Sequence, residues 1–415
     1  MKLQKYSFGV GDRFGSQGKA QLAAIMKAKQ QGIDITPVWN KSHREHSIIG
    51  TSPSDVRQQA DTAVKELSWD GQYCVDADHI NMNNVDEFIE HSDFFTLDVA
   101  DYIAKPTKEE DLNQFVNAAS KYIGTLEIPD IDEKCEISEN DIIAVPQKFL
   151  FAIKEAGRIY RHILLKKGSD NFITEVSIDE SDTPQSPVEM LFILLMIARE
   201  NIPAQTIAPK FTGRFNKGVD YVGDVAQFEK EFNQDVAVIN YAVKEFGLPE
   251  NLKLSVHSGS DKFSIYEPIK KALKKFDAGL HLKTAGTTWL EELIGLAESG
   301  ADGLEIAKEI YAKSLDKFDE LCAPYAAVID IDKNALPSAD EVRKWDSNKY
   351  TDTLRHDQSC SDYNLNVRQL LHVGYKVAAQ MEVRYTHALE KHQQPIARNV
   401  TENIFERHIK RIFMG

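Results

Sequence analysis

The chain has 415 residues, of which 42% are hydrophobic and 27% are charged, as expected for a globular protein with a sizeable core. Its formal net charge of −15 disfavours nucleic acids and anionic membranes as partners, because both repel an acidic surface. The longest apolar run, residues 190–198, is too short to span a bilayer, and no signal-peptide pattern is present. We therefore expect a cytoplasmic protein that acts on a small molecule, with homo-oligomers left open.

Short β-rich runs alternate with segments of helical periodicity through residues 1–300, which is the pattern of parallel βα units. The eight predicted strands are residues 6–10, 35–39, 73–80, 94–100, 171–178, 204–211, 252–259 and 279–286. Eight strands with helices between them favour a closed (β/α)8 TIM barrel over an open doubly wound sheet. The barrel is therefore the predicted catalytic domain.

Two segments depart from the βα rhythm. Residues 105–168, after strand four, are predicted as a helical insertion in which an acidic loop separates two helices, and the second helix ends at Gly168. Residues 301–415 are mostly helical in pattern, and they are too charged and amphipathic to form a linker. We expect these last residues to form a C-terminal extension that packs on the barrel.

Nearly every predicted strand carries an ionisable side chain at its carboxyl end, where the working residues of such barrels lie. The candidates in chain order are Arg13, Lys41, Arg44, Asp78, His79, Asp98, Glu175, Lys210, Arg214, His257, His281 and Lys283. A purely structural barrel has no reason to gather them, because each uncompensated charge near the core is costly. This rim is the predicted active site.

Three of these candidates suggest a metal site. His79, His257 and His281 belong to strands three, seven and eight, and imidazoles with carboxylates nearby suit zinc, manganese, nickel or iron. Ligands from separate strands can leave a coordination position open for substrate. A single histidine near an apolar strand is commonly a core residue, and His281 falls early enough in its strand to lie too deep.

The carboxylates suggest proton transfer. Asp78 directly precedes His79 in "DADHI", so one residue could hold a metal while its neighbour moves a proton, an arrangement that resembles class II, metal-dependent aldolases. Asp98 and Glu175 are the other candidate bases, and the sequence does not choose among the three. The alternative for Asp78 is that it caps the following helix.

The basic residues suggest how a substrate is held. Lys41, Lys210 and Lys283 could polarise a carbonyl or stabilise an oxyanion, and Lys41 is counted with the substrate-binding residues. A Schiff base with Lys210 is also open. Arg13, Arg44 and Arg214 lie in loops after strands, where a guanidinium suits a substrate carboxylate. The loop "FTGRFNKGVDYVGD" after strand six is rich in Gly and polar groups and is predicted as an active-site loop. The alternative is that each lysine only pairs with a carboxylate across the barrel mouth.

With these residues in place, the chain resembles the tagaturonate epimerase family, barrel enzymes of hexuronate breakdown. The resemblance rests on "GVGDRFG", "NKSHREHSIIGT", "DADHI", "TLDVADYI", "APKFTGRFNKGVDYVGD", "SVHSGSDKFSIY" and "HLKTAGTTWLEE". These motifs span most of the predicted barrel. The resemblance implies interconversion of tagaturonate and fructuronate in the cytoplasm with a divalent metal.

The residues fit that reaction, but they leave its course open. The two ketohexuronates differ at a carbon β to the ketone, which simple enolisation cannot invert. Metal-assisted retro-aldol cleavage and re-addition would invert it, and so would deprotonation of that carbon. Two other functions also remain: a class II-type aldolase that releases its two fragments, and a non-catalytic barrel that binds a sugar acid. The density of histidines, acids and bases argues against the last.

Overall fold

A computed structural model of the chain describes residues 1–131, 133–169, 171–284 and 287–414. Its eight parallel strands close into a barrel, with β1 paired to both β2 and β8. The strands are β1 (Tyr6–Gly11), β2 (Thr36–Ser42), β3 (Cys74–Ile80), β4 (Phe94–Asp98), β5 (Ile173–Ser177), β6 (Thr206–Ala208), β7 (Lys253–Val256) and β8 (Leu280–Thr284). The predicted TIM barrel is confirmed. The end predicted for strand eight, residues 285–286, lies outside the described residues.

Helices connect the strands and cover the barrel. Between β1 and β8 they are Gly18–Gln30, His43–Ile49, Pro53–Glu66, Val85–Phe88, Glu109–Ala119, Asp141–Lys167, Pro187–Arg199, Val225–Phe246 and Phe263–Phe276, with single 3-10 turns at Ala100–Tyr102 and Ser120–Tyr122. Local signals explain their ends: Asp224 accepts the N–H groups of Ala226 and Gln227, and Gly247 ends the same helix in the left-handed region.

The apolar run at 190–198 belongs to a barrel helix. Ser186 and Glu189 form a capping box at the start of Pro187–Arg199. Residues from Met190 to Ile197 are buried around the whole circumference of this helix. It packs against the helices Asp141–Lys167 and Val225–Phe246 and also contacts the short strand Cys135–Ile137. Within the described residues, no helix is both long and apolar enough to cross a membrane.

The segment between β4 and β5 is only partly as predicted. Helix Asp141–Lys167 packs against helix Pro187–Arg199, so it occupies a place in the helical ring. The predicted acidic loop contains a short antiparallel hairpin of strands Gly124–Leu126 and Cys135–Ile137. These strands have only three residues each, which is too short for an alternating pattern to reveal them in the sequence.

The described residues after β8 are mostly helical. The helices are Thr287–Glu298, Ala301–Asp316, Phe318–Cys322, Ala339–Arg343, Ser347–Leu354, Leu365–Val373, Tyr375–Ala379, Val383–Lys391, Gln393–Glu402, the π-helix Asn403–Ile409, and Lys410–Phe413, with 3-10 turns at Ala323–Tyr325 and Lys333–Ala335. Helix Gln393–Glu402 packs against both Gly18–Gln30 and Thr287–Glu298. It therefore covers the seam where β1 meets β8.

The barrel interior changes from apolar to charged along the strands. Val38, Cys74, Phe94 and Ile173 form a buried cluster near the amino-terminal ends, together with Leu3. Two residues further along their strands, Asp76, Thr96 and Glu175 are equally buried but polar. Because alternate residues of a strand face the interior, this second layer lies directly beneath the carboxyl ends of the strands.

Candidate active site

Lys283 of β8 is the centre of the charged layer. Its Nζ lies 2.7 Å from Asp76 Oδ2, 2.8 Å from Asp78 Oδ1 and 3.1 Å from Glu175 Oε1, and it also donates to the Thr96 hydroxyl. Burial favours the neutral amine, but the three carboxylates outweigh burial and raise the pKa of Lys283 well above its usual value. Lys283 is therefore a fixed cation that holds the carboxylates together.

A β-bulge brings two consecutive residues into the site. The pairing of β3 with β4 shifts between Ala77 and Ile80, and His79 adopts a left-handed backbone with φ of 56°. In a regular strand Asp78 and His79 would point to opposite faces. Here His79 Nδ1 lies 2.9 Å from Asp78 Oδ1, so the irregularity orients both side chains toward the barrel mouth.

His257 follows β7 and lies beside His79. The centres of the two imidazole rings are 5.1 Å apart. His257 Nε2 lies 2.7 Å from Glu175 Oε1, and its Nδ1 lies 3.2 Å from Asp179 Oδ2. Each histidine therefore has one nitrogen paired with a carboxylate of the charged layer, Asp78 or Glu175.

His79, Asp179 and His257 form the candidate metal centre. Each offers one ligand atom, and these atoms lie within 4.8 Å of one another. Asp179 was not among the sequence candidates. The available signal was its position, since it is an acidic residue two places beyond the end of β5 in "TEVSIDES".

The structure does not bring His281 to this group. His281 is buried in β8, two residues before Lys283, so it lies one layer deeper in the barrel. Its Nδ1 lies 2.9 Å from Ser7 Oγ, and its ring centre is 5.1 Å from that of Phe94. Burial lowers its pKa to about 3. These contacts are those of a neutral core histidine.

The electrostatics of the candidate centre favour positive charge. Burial opposes protonation of His79, but Asp78 and Asp179 outweigh it and raise the pKa to about 10. Burial likewise opposes protonation of His257, and carboxylates led by Asp179 raise its pKa to about 9. A site that stabilises cations at two imidazoles has the charge to accept a metal cation in their place.

Asp98 lies at the end of β4, on the same rim. It is half-buried, and its Oδ1 accepts the backbone N–H of Ala100 at 3.2 Å. Burial raises its pKa, an effect that His79 opposes and that Asp179 reinforces. Within the described part of the chain, no basic side chain lies within 4.0 Å of its carboxylate.

Two of the predicted substrate-binding residues are engaged elsewhere. Lys41 lies on the outer face of β2 with Trp39, whose Nε1 donates to Gln21 on a surrounding helix. Lys41 Nζ donates to Thr51 Oγ1 at 3.3 Å, so strand alternation turns this lysine away from the barrel interior. Arg44 is exposed and lies over the ring of Tyr325, with 5.4 Å between guanidinium carbon and ring centre.

Arg13 and Arg214 contact the C-terminal extension. The guanidinium of Arg13 lies 3.7 Å from the ring centre of Tyr375 and also contacts Glu45 at 3.3 Å. Arg214 Nη1 lies 3.0 Å from Asp330 Oδ2. Both arginines therefore already have partners.

Two lysines lie in or near the loop between β6 and helix Val225–Phe246. Lys210 is half-buried, and its backbone N–H donates to Gln185 Oε1 at 2.9 Å. Lys217 was not singled out in the sequence, although the loop that contains it was. Its Nζ donates to Ser258 Oγ at 2.7 Å, and Ser258 directly follows His257.

Comparisons with known proteins agree with this architecture. The model of the tagaturonate epimerase family matches residues 1–412. The chain is 30% identical over 419 residues to the tagaturonate/fructuronate epimerase of Thermotoga maritima, covering 97% of this chain and 80% of that protein.

Crystal structures of the fructuronate-tagaturonate epimerase from Cohnella laeviribosi share the fold. A complex with two glycerols has a TM-score of 0.82 at 22% identity and covers 100% of this chain and 83% of that one. The native structure has a TM-score of 0.81 at 23% identity, with 99% and 82% covered. The family match over nearly the whole chain confirms the resemblance seen in the motifs: this chain belongs to the tagaturonate epimerase family.

Proposed function

We propose that this chain is a cytoplasmic enzyme that interconverts tagaturonate and fructuronate, with a divalent metal held by His79, Asp179 and His257. One observation carries the metal assignment. Each histidine gives one ring nitrogen to a carboxylate, Asp78 or Glu175, and the second nitrogen of His257 faces Asp179, the third member of the proposed ligand set. Metal-binding histidines are oriented in this way in most proteins, because the carboxylate fixes the tautomer and the ring.

The donor set fits the metals considered from the sequence. Two imidazole nitrogens and one carboxylate oxygen suit zinc, manganese, nickel or iron, and three protein ligands leave positions for substrate oxygens. When bound, such a metal supplies Lewis-acid polarisation of the substrate ketone. Asp179 takes the place of His281 in this assignment, because the His281 side chain lies one layer deeper in the barrel, beside Ser7.

Asp98 is the carboxylate that we assign as the proton acceptor. Asp78 and Glu175 each contact both Lys283 and a histidine. Burial opposes ionisation, but these cations hold the pKa of both carboxyls well below the usual value, so both are weak bases. Among the described residues, the hydrogen-bond partner of the Asp98 carboxylate is the backbone N–H of Ala100. Burial raises its pKa, which makes it a stronger base once ionised.

In the retro-aldol course, Asp98 takes the proton of the hydroxyl on the carbon β to the ketone. The bond between that carbon and its α neighbour breaks, which leaves an aldehyde and the enolate of the ketone fragment. The aldehyde turns over, the bond forms again on its other face, and the proton returns from Asp98. Lys283 positions Asp78 and Glu175 through these steps.

The test is elemental analysis of the purified protein, with tagaturonate turnover followed by NMR before and after chelation. We expect about one divalent metal per chain, turnover that chelation abolishes, and recovery on adding metal back. Metal-free protein that still forms fructuronate would overturn the metal assignment. Release of free three-carbon fragments without fructuronate would instead identify an aldolase. The absence of any turnover would contradict the proposed function.

A further inference from the structure

We propose that Lys217 binds the carboxylate of the substrate and so sets the preference for hexuronates over neutral sugars. The proposal rests on the proposed function, because it names the residue of the same site that recognises the acid end of the substrate. A hexuronate differs from the matching ketohexose in its carboxylate, so an enzyme that selects hexuronates needs a cation that is free to pair with that group.

The first argument is position. Lys217 Nζ donates to the hydroxyl of Ser258 at 2.7 Å, and Ser258 is the residue after His257. The amine therefore contacts the residue that is adjacent in sequence to the candidate metal ligand His257. Burial lowers the pKa of Lys217 while Asp179 raises it, which also places the amine within electrostatic reach of that centre.

The second argument is the charge of its partners. In the described part of the chain, no carboxylate oxygen lies within 4.0 Å of Lys217 Nζ, and Ser258 is neutral. Two other cations near the mouth are already paired: Lys283 contacts three carboxylates, and Arg13 contacts Glu45. Lys210 has no carboxylate partner among the described residues, so it is the alternative that the experiment below tests. Lys217 can thus gain a charged hydrogen bond from a substrate carboxylate without breaking an ion pair.

The third argument is rigidity. Lys262, which is buried, donates to the carbonyls of Asn216 and Val219 at 2.9 and 2.8 Å. The backbone N–H of Lys217 itself donates to Val328 O at 2.8 Å. The peptide that precedes Lys217 is therefore held at both its carbonyl and its N–H, and the loop is held again at Val219. A lysine on a fixed backbone loses less entropy when it binds an anion.

The experiment compares Lys217→Met and Lys217→Arg with Lys230→Met in the metal-loaded protein. Lys230 lies on helix Val225–Phe246 and makes an exposed ion pair with Glu133, so it controls for removal of a lysine charge. Substrates are tagaturonate and its neutral counterpart tagatose, measured by turnover or, where turnover is absent, by competitive inhibition. Binding of gluconate and of glucitol by calorimetry gives a readout that does not need turnover.

We expect Lys217→Met to lower kcat/KM for tagaturonate at least about tenfold, the size of one charged hydrogen bond. Tagatose and glucitol should change less than about threefold, and metal content should stay the same. Lys217→Arg should keep most of the preference for the acid, and Lys230→Met should keep all of it.

Two results would overturn the proposal. One is an active Lys217→Met protein that keeps the full preference for tagaturonate over tagatose. The other is selective loss of that preference in Lys210→Met, which would assign the carboxylate to the other lysine near this loop. Failure of the proposed function looks different, because then the wild-type protein itself does not epimerise tagaturonate.

Discussion

Arg368 and Asp261 form an ion pair of 3.1 Å in which both side chains are fully buried. Asp261 belongs to the loop after β7, four residues beyond His257, whereas Arg368 belongs to the C-terminal extension. His408, also in the extension, accepts the backbone N–H of Asp261 at 3.0 Å. The extension therefore contacts the barrel loop that follows the candidate metal ligand His257, through a buried ion pair and a hydrogen bond.

We expect Arg368→Met to lower the free energy of unfolding by about 3–5 kcal/mol, because it leaves the Asp261 carboxylate buried without its cation. Arg384→Met is the matched control, since Arg384 makes an exposed ion pair with Glu309 and should cost less than about 1 kcal/mol. Chemical denaturation of both variants measures the difference. Equal losses would show that the buried pair contributes no more than a surface pair.

Metal content distinguishes the two assignments of the third ligand. We expect Asp179→Ala and His257→Ala to reduce bound metal strongly, because each removes one of three protein ligands. His281→Asn should retain the metal, since His281 contacts Ser7 in the layer below. Elemental analysis after dialysis measures this directly. Metal lost from His281→Asn and kept by Asp179→Ala would reverse the assignment.

Gly218 tests how the extension positions Lys217. Its φ is 75°, and a Cβ there would lie 3.1 Å from His372 Nδ1 and 3.3 Å from Leu290 Cδ1. We expect Gly218→Ala to raise KM for tagaturonate, because the loop must shift away from His372. Gly247→Ala is the control, since Gly247 has a φ of 67° but open space around it.

Both glycine variants should lose about 1 kcal/mol of stability from backbone strain alone. Only Gly218→Ala should also weaken tagaturonate binding. Unchanged KM in a folded Gly218→Ala protein would mean that Lys217 tolerates displacement of its loop, against the rigidity argued above.

Lys253 makes stability depend on pH. Burial lowers its pKa to about 7, and its Nζ donates to Gln4 O at 2.5 Å at the amino-terminal end of the barrel. An unfolded lysine has a pKa of about 10.4, so between about pH 7 and 10 the unfolded chain binds more protons and stability rises with pH. Below pH 7 Lys253 is protonated in the folded protein as well, so the destabilisation from burying its charge is at its full value.

We therefore expect the free energy of unfolding of the wild type, relative to that of Lys253→Met, to rise by an amount on the order of 2 kcal/mol from pH 7 to pH 9. Denaturant midpoints of both proteins at the two pH values measure this gain. Lys230→Met should follow the wild-type profile. Parallel profiles for wild type and Lys253→Met would show that Lys253 keeps an ordinary pKa in the folded protein.

The barrel could be predicted from the sequence because its strands are hydrophobic runs at regular spacing, and the rim residues followed from where those strands end. The sequence was a weaker guide to which face of a strand each side chain lies on. Lys41 was assigned to the rim, but it lies on the outer face of β2 because a shift of one residue reverses the side-chain direction. His79 is a sequence candidate that does lie beside His257, but the bulge that orients it is not indicated by any spacing in the sequence.

The proposed third ligand, Asp179, and the proposed substrate-binding lysine, Lys217, were missed for a different reason. Asp179 lies beyond the end of β5, and Lys217 lies seven residues after Lys210, so neither belongs to a periodic element. Their positions depend on contacts with distant residues: His257 for Asp179 and Val328 for Lys217. Such contacts between remote segments leave no mark in a single sequence.

The pairing of Asp261 with Arg368 also has a consequence during protein synthesis. The two residues are separated by 107 positions, and ribosomes add roughly 5–20 residues per second. A nascent chain therefore exposes Asp261 for roughly 5–20 s before Arg368 has been made. During that interval Asp261 lacks its buried cation, so the loop after β7 reaches its final packing only after the extension has been synthesised.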